Sequence, residues 1–182
     1  IKNIKFLPRA LYSGLMYSIK VYDERRVKEC FLKFIDNIDE KDLAKLTKSF
    51  YDERLSSILY KDAVDMIKKL KNEGYMVILI SASPEFYIKE FYAIKEVDLI
   101  IGTKFAFEGG KFVRKMDGNN CKGEEKVKRL NEVLKEKNIK ADFKNSYMFS
   151  DSLSDKPLLD LVGNPYLINY KKHHEIEILK WK

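Results

Sequence analysis

Tyr75 to Ile80 reads YMVILI, an apolar run without polar alternation, and a strand of that kind must be covered on both faces. Its surroundings say how. Ala63, Met66, Ile67 and Leu70 mark one face of a helix before it, with Gly74 as a C-terminal stop. After it, SASPEFYIKEFY places Ser83 as N-cap and Pro84 as the first helical residue. VDLIIG then reads as a short strand, and TKFAFEGGKFVRK as a β-hairpin around Glu108, Gly109 and Gly110. Val127, Leu130, Val133 and Leu134 define another helix, SYMFS another strand, Pro157 to Leu161 a short helix, and PYLIN a last strand. Helices alternating with buried strands predict an α/β fold with a parallel sheet.

Residues up to about 58 read differently, as helices only. Leu11, Leu15 and Ile19 are spaced by four, and Val27, Cys30, Phe31, Phe34 and Ile35 follow an amphipathic stripe. Asp39, ahead of Asp42, Leu43, Leu46 and Phe50, marks a helix start with acid near the positive end of the dipole. Helices with short connections predict a small bundle. FLPRALYSGLMYSIK would serve either as bundle core or as a membrane-surface helix, and core is the commoner use of such a pattern.

Composition narrows the function classes. With 182 residues, 45% apolar and 35% charged, the chain suits a globular fold. It shows no run long enough to span a bilayer and no signal-peptide pattern, so the cytoplasm is the expected compartment. Cys30 and Cys121 lack metal-ligand spacing. A net charge of +7 is spread along the chain and interleaved with acids, which argues against nucleic acid and suits a small phosphorylated anion as partner.

In open parallel sheets ligands bind beyond the carboxyl ends of the strands, so the residues that end strands carry the information. Two strands end on polar groups, Ser81-Ala82-Ser83 and Ser150-Asp151-Ser152. Asp151 and Asp155 have three explanations: an N-cap for the helix at Pro157, sound for Asp155; solvated turn residues; or ligands of a hard cation such as Mg²⁺. Lys126 lies just inside a helix that Gly123 starts, where ammonium and helix N-terminus both favour an anion, although it is also one lysine among many. A hydroxyl at Ser81, an ammonium and a carboxylate-held dication are the parts needed to hold a phosphoryl group.

VILISASPEF, CKGEEKVKRL and FSDSLSDKPLLDLVGNPYLIN, in that order, resemble motifs II, III and IV of the haloacid dehalogenase-like hydrolases, nearest to the phosphoserine-phosphatase-like subfamily IB. The resemblance is close from about residue 60 to 169. It implies a Rossmann-like catalytic core over 59–182, a parallel sheet flanked by helices, with a small helical-bundle cap over 1–58. It further implies that Ser81 and Ala82 hold the phosphoryl group, that Lys126 balances its charge, that Asp151 ligates Mg²⁺, and that Asp155 supports the metal site or orients Lys126. Where relatives often carry Asn before that second acid, this chain has Ser154. Arg9, Arg25, Arg26 and Arg54 are candidates for a substrate carboxylate, though helical faces ordinarily carry such charges on the surface.

Motif I departs from the pattern. Its DxDxT or DxDxV segment, with the nucleophilic aspartate, does not occur in this sequence; VYDER and FYDER have one Asp each. The first strand of the core and the nucleophile are therefore expected upstream of Ile1, on roughly 25 to 30 further residues, with that strand between those ending at Ser81 and Asp151. The implied activity is a phosphatase acting on a small phosphomonoester through a phosphoaspartyl intermediate. The alternative is a non-catalytic phosphate- and metal-binding protein of the same fold.

Overall fold

The computed structural model describes residues 23–182. The expected helix through Leu11, Leu15 and Ile19, and with it Arg9, lies outside the described residues.

The first described helix, α1 (Glu24–Phe31), begins where the Asp23 side chain accepts a hydrogen bond from Arg26 N, an N-cap that satisfies one of the orphan donors of the first turn. It tightens into a 3₁₀ turn, Leu32–Ile35. Next comes α2 (Glu40–Phe50), with Glu40 and Asp42 in its first turn, as the acids after Asp39 foretell. The two helices bury fewer of the expected apolar positions than a bundle would. Ile35 and Leu43 are buried, whereas Phe31, Phe34, Leu46 and Phe50 stay close to half exposed.

What covers Ile35 and Leu43 is the hairpin of β3 (Phe105–Glu108) and β4 (Lys111–Met116). Gly109 and Gly110 both have positive φ, +55° and +75°, the conformation a two-residue hairpin turn with right-handed strand twist requires. The backbone between the helices adds to this hairpin: Asn37 N donates to Phe112 O, Phe112 N to Ile38 O, and Glu40 N to Gly110 O. Phe112, fully buried, sits at the centre among Phe105, Met116 and Phe86.

Helix α3 (Lys61–Asn72) ends at Gly74, whose φ of +88° matches the expected stop. Strand β1 (Ile78–Pro84) pairs in parallel with β2 (Leu99–Thr103). β1 differs from expectation at both ends, starting three residues late and running through SASP. Pro84 is consequently extended (ψ 132°) and precedes α4 (Glu85–Ile88) instead of opening it. The cause is lateral: Pro84 is in register with Thr103, whose hydroxyl donates to Ala82 O, holding these residues on the sheet edge.

The remaining elements are α5 (Glu124–Glu136), β5 (Tyr147–Ser150), a 3₁₀ turn at Leu153–Asp155, α6 (Lys156–Leu159), β6 (Asn164–Ile168) and β7 (Ile178–Leu179). β5, β6 and β7 form a second parallel ladder. β7 spans two residues, too short to leave a periodicity in the sequence. Among the described residues the ladders of β1 and β5 are not hydrogen-bonded to each other. They nevertheless share one core, in which Ile78 and Ile80 of β1 and Met148 of β5 pack against Ile101, Leu130, Leu134 and Leu158. This is the α/β architecture with parallel sheets that the alternating pattern predicts. No helix among the described residues is long and apolar enough to cross a membrane.

Candidate active site

Lys126 owes its position to Gly123. That glycine precedes α5 at φ 56° and ψ −129°, a region that residues with a Cβ do not readily enter, and the turn it makes points the first turn of the helix inward. The Lys126 side chain is buried, and its Nζ lies 2.6 Å from Asp155 Oδ1. Asp155 is buried too, and its other oxygen accepts from Ser150 Oγ at 2.8 Å. Each oxygen of Asp155 thus has a partner within the protein, an ammonium on one side and a hydroxyl on the other.

Asp151 is the opposite case. It is exposed just beyond β5, and its side chain makes no hydrogen bond or ion pair among the described residues. Magnesium takes one or two carboxylates, retains waters and binds substrate phosphate, so an uncommitted oxygen donor here fits it in kind. No cluster of three or more His, Cys, Asp or Glu occurs among the described residues. Ser81 Oγ accepts from Ser83 N at 3.1 Å, which fixes the turn and leaves the O–H to donate elsewhere.

A cavity of about 350 Å³ opens beside these strand ends, with Lys28, Ala82, Asn120, Lys126 and Asp155 in its walls. Ala82, Lys126 and Asp155 are thereby brought together, joined by Ser154. Ser81 and Asp151 stand next to this group but do not line the cavity. The described candidates Arg25, Arg26 and Arg54 do not line it either. Arg25 donates to Met116 O at 3.1 Å and to Gly118 O, binding α1 to the hairpin, while Arg26 and Arg54 are exposed.

Three residues that the motifs do not mark complete the site. Lys28 of α1 donates to Ala82 O and to Asn120 Oδ1, each at 2.5 Å. Burial holds its ammonium below the usual lysine range, with Lys122 and Lys126 adding to the effect and Glu24 opposing it. Asn120 donates to Glu24 Oε2 at 2.8 Å. Thr103, fully buried, donates to Ala82 O at 2.7 Å and accepts from Cys121 N. Thr103 was within reach of the strand-end rule, had β2 been carried one residue past Gly102. Lys28 leaves no such trace, since on an amphipathic helix a lysine looks like surface.

Behind the cavity, Arg129 of α5 fixes the loop that carries Asn120. It donates to Gly102 O at 2.6 Å and to Asn119 O at 2.7 Å, and pairs with Glu125 at 3.2 Å.

A family model for haloacid dehalogenase-like hydrolase matches residues 2–160. Protein CicA of Caulobacter vibrioides is 29% identical over 118 residues, 63% of this chain and 53% of its own length. Histidinol-phosphatase of Neisseria meningitidis serogroup C is 26% identical over 147 residues, 78% of this chain and 66% of its own. The chain thus spans about half the length of the first of these relatives. A solved protein of unknown function from Bordetella pertussis Tohama I shares the fold with a TM-score of 0.79 at 24% identity, over 87% of this chain and 72% of that one. A probable phosphoserine phosphatase from Vibrio cholerae shares it at 0.69 and 12% identity, over 90% and 48%.

Proposed function

The chain belongs to the haloacid dehalogenase-like hydrolases, and from that premise we propose that the complete protein is a magnesium-dependent phosphatase of a small, phosphoserine-like phosphomonoester. The observation that carries this reading is the buried Lys126–Asp155 pair, 2.6 Å apart, in the wall of a cavity at the end of β1. A fixed ammonium there can offset the charge of a phosphoryl group without reorganising. Relatives named as histidinol-phosphatase and phosphoserine phosphatase support a phosphate ester of a small amino-acid-like alcohol.

The residues divide the work by position. Ser81 donates its O–H to a phosphoryl oxygen, with Ala82 beside it in the C-terminal half of β1. Lys126 neutralises the phosphoryl charge, and Asp155 holds Lys126 in place. Asp151 would hold Mg²⁺, which supplies polarisation of the phosphoryl oxygens when bound. The carboxylate that attacks phosphorus, forming the phosphoaspartyl intermediate, and the acid that protonates the departing oxygen would come from a DxDxT-type segment outside these 182 residues. We assign residues 1–58 to a cap and 59–182 to the core. Glu24, Val27 and Lys28 of α1 lie over the cavity, where a cap excludes water from the reaction.

The second reading is a non-catalytic protein of the same fold that binds phosphate and metal without turnover. Full-length protein assayed with p-nitrophenyl phosphate and a panel of small phosphomonoesters, with and without Mg²⁺, separates the two. Magnesium-dependent release of phosphate is the expected result; phosphate binding without release would establish the second reading instead.

A further inference from the structure

The cavity wall carries three lysines, Lys28, Lys122 and Lys126, and two carboxylates, Glu24 and Asp155. Asp155 is matched to Lys126. Glu24 is matched to Lys122 through one oxygen and to Asn120 Nδ2 through the other. Lys28 alone among these cations is held by neutral acceptors, Ala82 O and Asn120 Oδ1, and no carboxylate lies within ion-pair distance of it among the described residues. An ammonium taken partly out of water, with its nearest counter-charge Glu24 beyond ion-pair distance, is stabilised when an anion joins it. It also has three donors, of which two are used.

The third donor is at a telling place. Ala82 O, which Lys28 grips, belongs to the residue after Ser81, in the irregular C-terminal half of β1 where the phosphoryl group would sit. We propose that Lys28 binds the substrate's phosphoryl group from α1, together with Lys126, so that a dianion entering the cavity supplies a close counter-charge. This deepens the proposed function and rests on it. It assigns part of phosphate recognition to the helical segment that precedes the α/β core, so that affinity for phosphate depends on α1 being seated on the hairpin. Arg25 to Met116 O and Met116 N to Glu29 Oε1 provide that seat.

The test is calorimetric titration of inorganic phosphate into the full chain and its Lys28→Met, Lys28→Arg, Lys126→Met and Lys41→Met variants. Lys28→Met should weaken phosphate binding about tenfold or more, the scale of one charge-assisted hydrogen bond. Lys28→Arg should stay within about threefold, and Lys41→Met, which removes the same charge from an exposed site on α2, within about twofold. Binding lost in Lys126→Met but unchanged in Lys28→Met overturns the role of Lys28 alone. No phosphate binding by the unaltered chain overturns this inference and the phosphatase reading together. A measurement without substitution guards against a variant that fails to fold: saturating phosphate should slow acetylation of Lys28, read by mass spectrometry, about fivefold while leaving Lys41 unchanged. Equal labelling of Lys28 with and without phosphate overturns the proposal.

Discussion

Replacing Lys126 by methionine removes one half of a buried ion pair and leaves the other half in place. The two side chains are only 8% and 11% exposed, and their contact is 2.6 Å. Breaking such a pair from one side costs about 3–5 kcal/mol, because a buried charge loses its partner. Asp155 keeps the Ser150 hydroxyl at 2.8 Å and borders a cavity that water can enter, so the lower end, about 3 kcal/mol, is expected. Asp155→Asn keeps the shape and an acceptor but leaves the buried Lys126 ammonium without its counter-charge, and should likewise cost about 3 kcal/mol. The double variant, lacking both charges, should cost less than the two single losses added, with a coupling of at least about 1.5 kcal/mol. Urea unfolding at neutral pH, followed by far-ultraviolet circular dichroism with a common m-value, measures all three differences. Losses that add within about 0.5 kcal/mol, or a Lys126→Met loss below about 1 kcal/mol, would refute the claim that Asp155 exists here to hold Lys126.

Three further outcomes follow from particular contacts. Gly163→Ala would place a Cβ 1.8 Å from Lys144 O; the backbone must move, and thermal unfolding should register a loss of about 3 kcal/mol. Burial pushes the Asp98 carboxyl up, but hydrogen bonds from Lys71 Nζ and Val77 N, at 2.6 and 2.8 Å, outweigh it and hold the carboxyl below the usual range. That stabilisation is present above the unfolded pKa and lost as pH falls through the lower folded one. Asp98→Asn should therefore cost about 1 kcal/mol at neutral pH and flatten the acid limb of melting temperature against pH; an unchanged limb contradicts it. Cys121 is fully buried, and burial raises its thiol above the usual range, so a thiol reagent should modify half-buried Cys30 first and reach Cys121 only on unfolding.

The elements legible in the sequence were those whose cause is local. The hairpin turn follows from two adjacent glycines, α3 from its apolar spacing and Gly74, and α5 from Gly123 and the stripe after it. What was not legible was decided across the chain. Pro84 looks like a helix opener in isolation, yet its register with Thr103 keeps it on the sheet. Phe31 and Phe34 fit a core stripe, yet the hairpin takes up Ile35 and leaves them half exposed. A period of 3.6 says which residues share a face, not which part of that face a neighbour will cover.

The aspartates show the same limit at the scale of chemistry. Strand ends marked both Asp151 and Asp155, because position along the chain is enough to find a site of this topology. Their roles depend instead on which oxygens are already engaged. Asp155 faces inward to an ammonium and a hydroxyl, so its charge is already matched where it is. Asp151 has solvent before it and its lone pairs unspent. If a metal chooses between them, desolvation decides: binding at Asp155 would first strip Lys126 of its partner, at the several-kcal/mol cost already worked out for that pair, whereas binding at Asp151 displaces only water. Asp151→Asn should therefore remove magnesium binding measured by calorimetry, and Asp155→Asn should not.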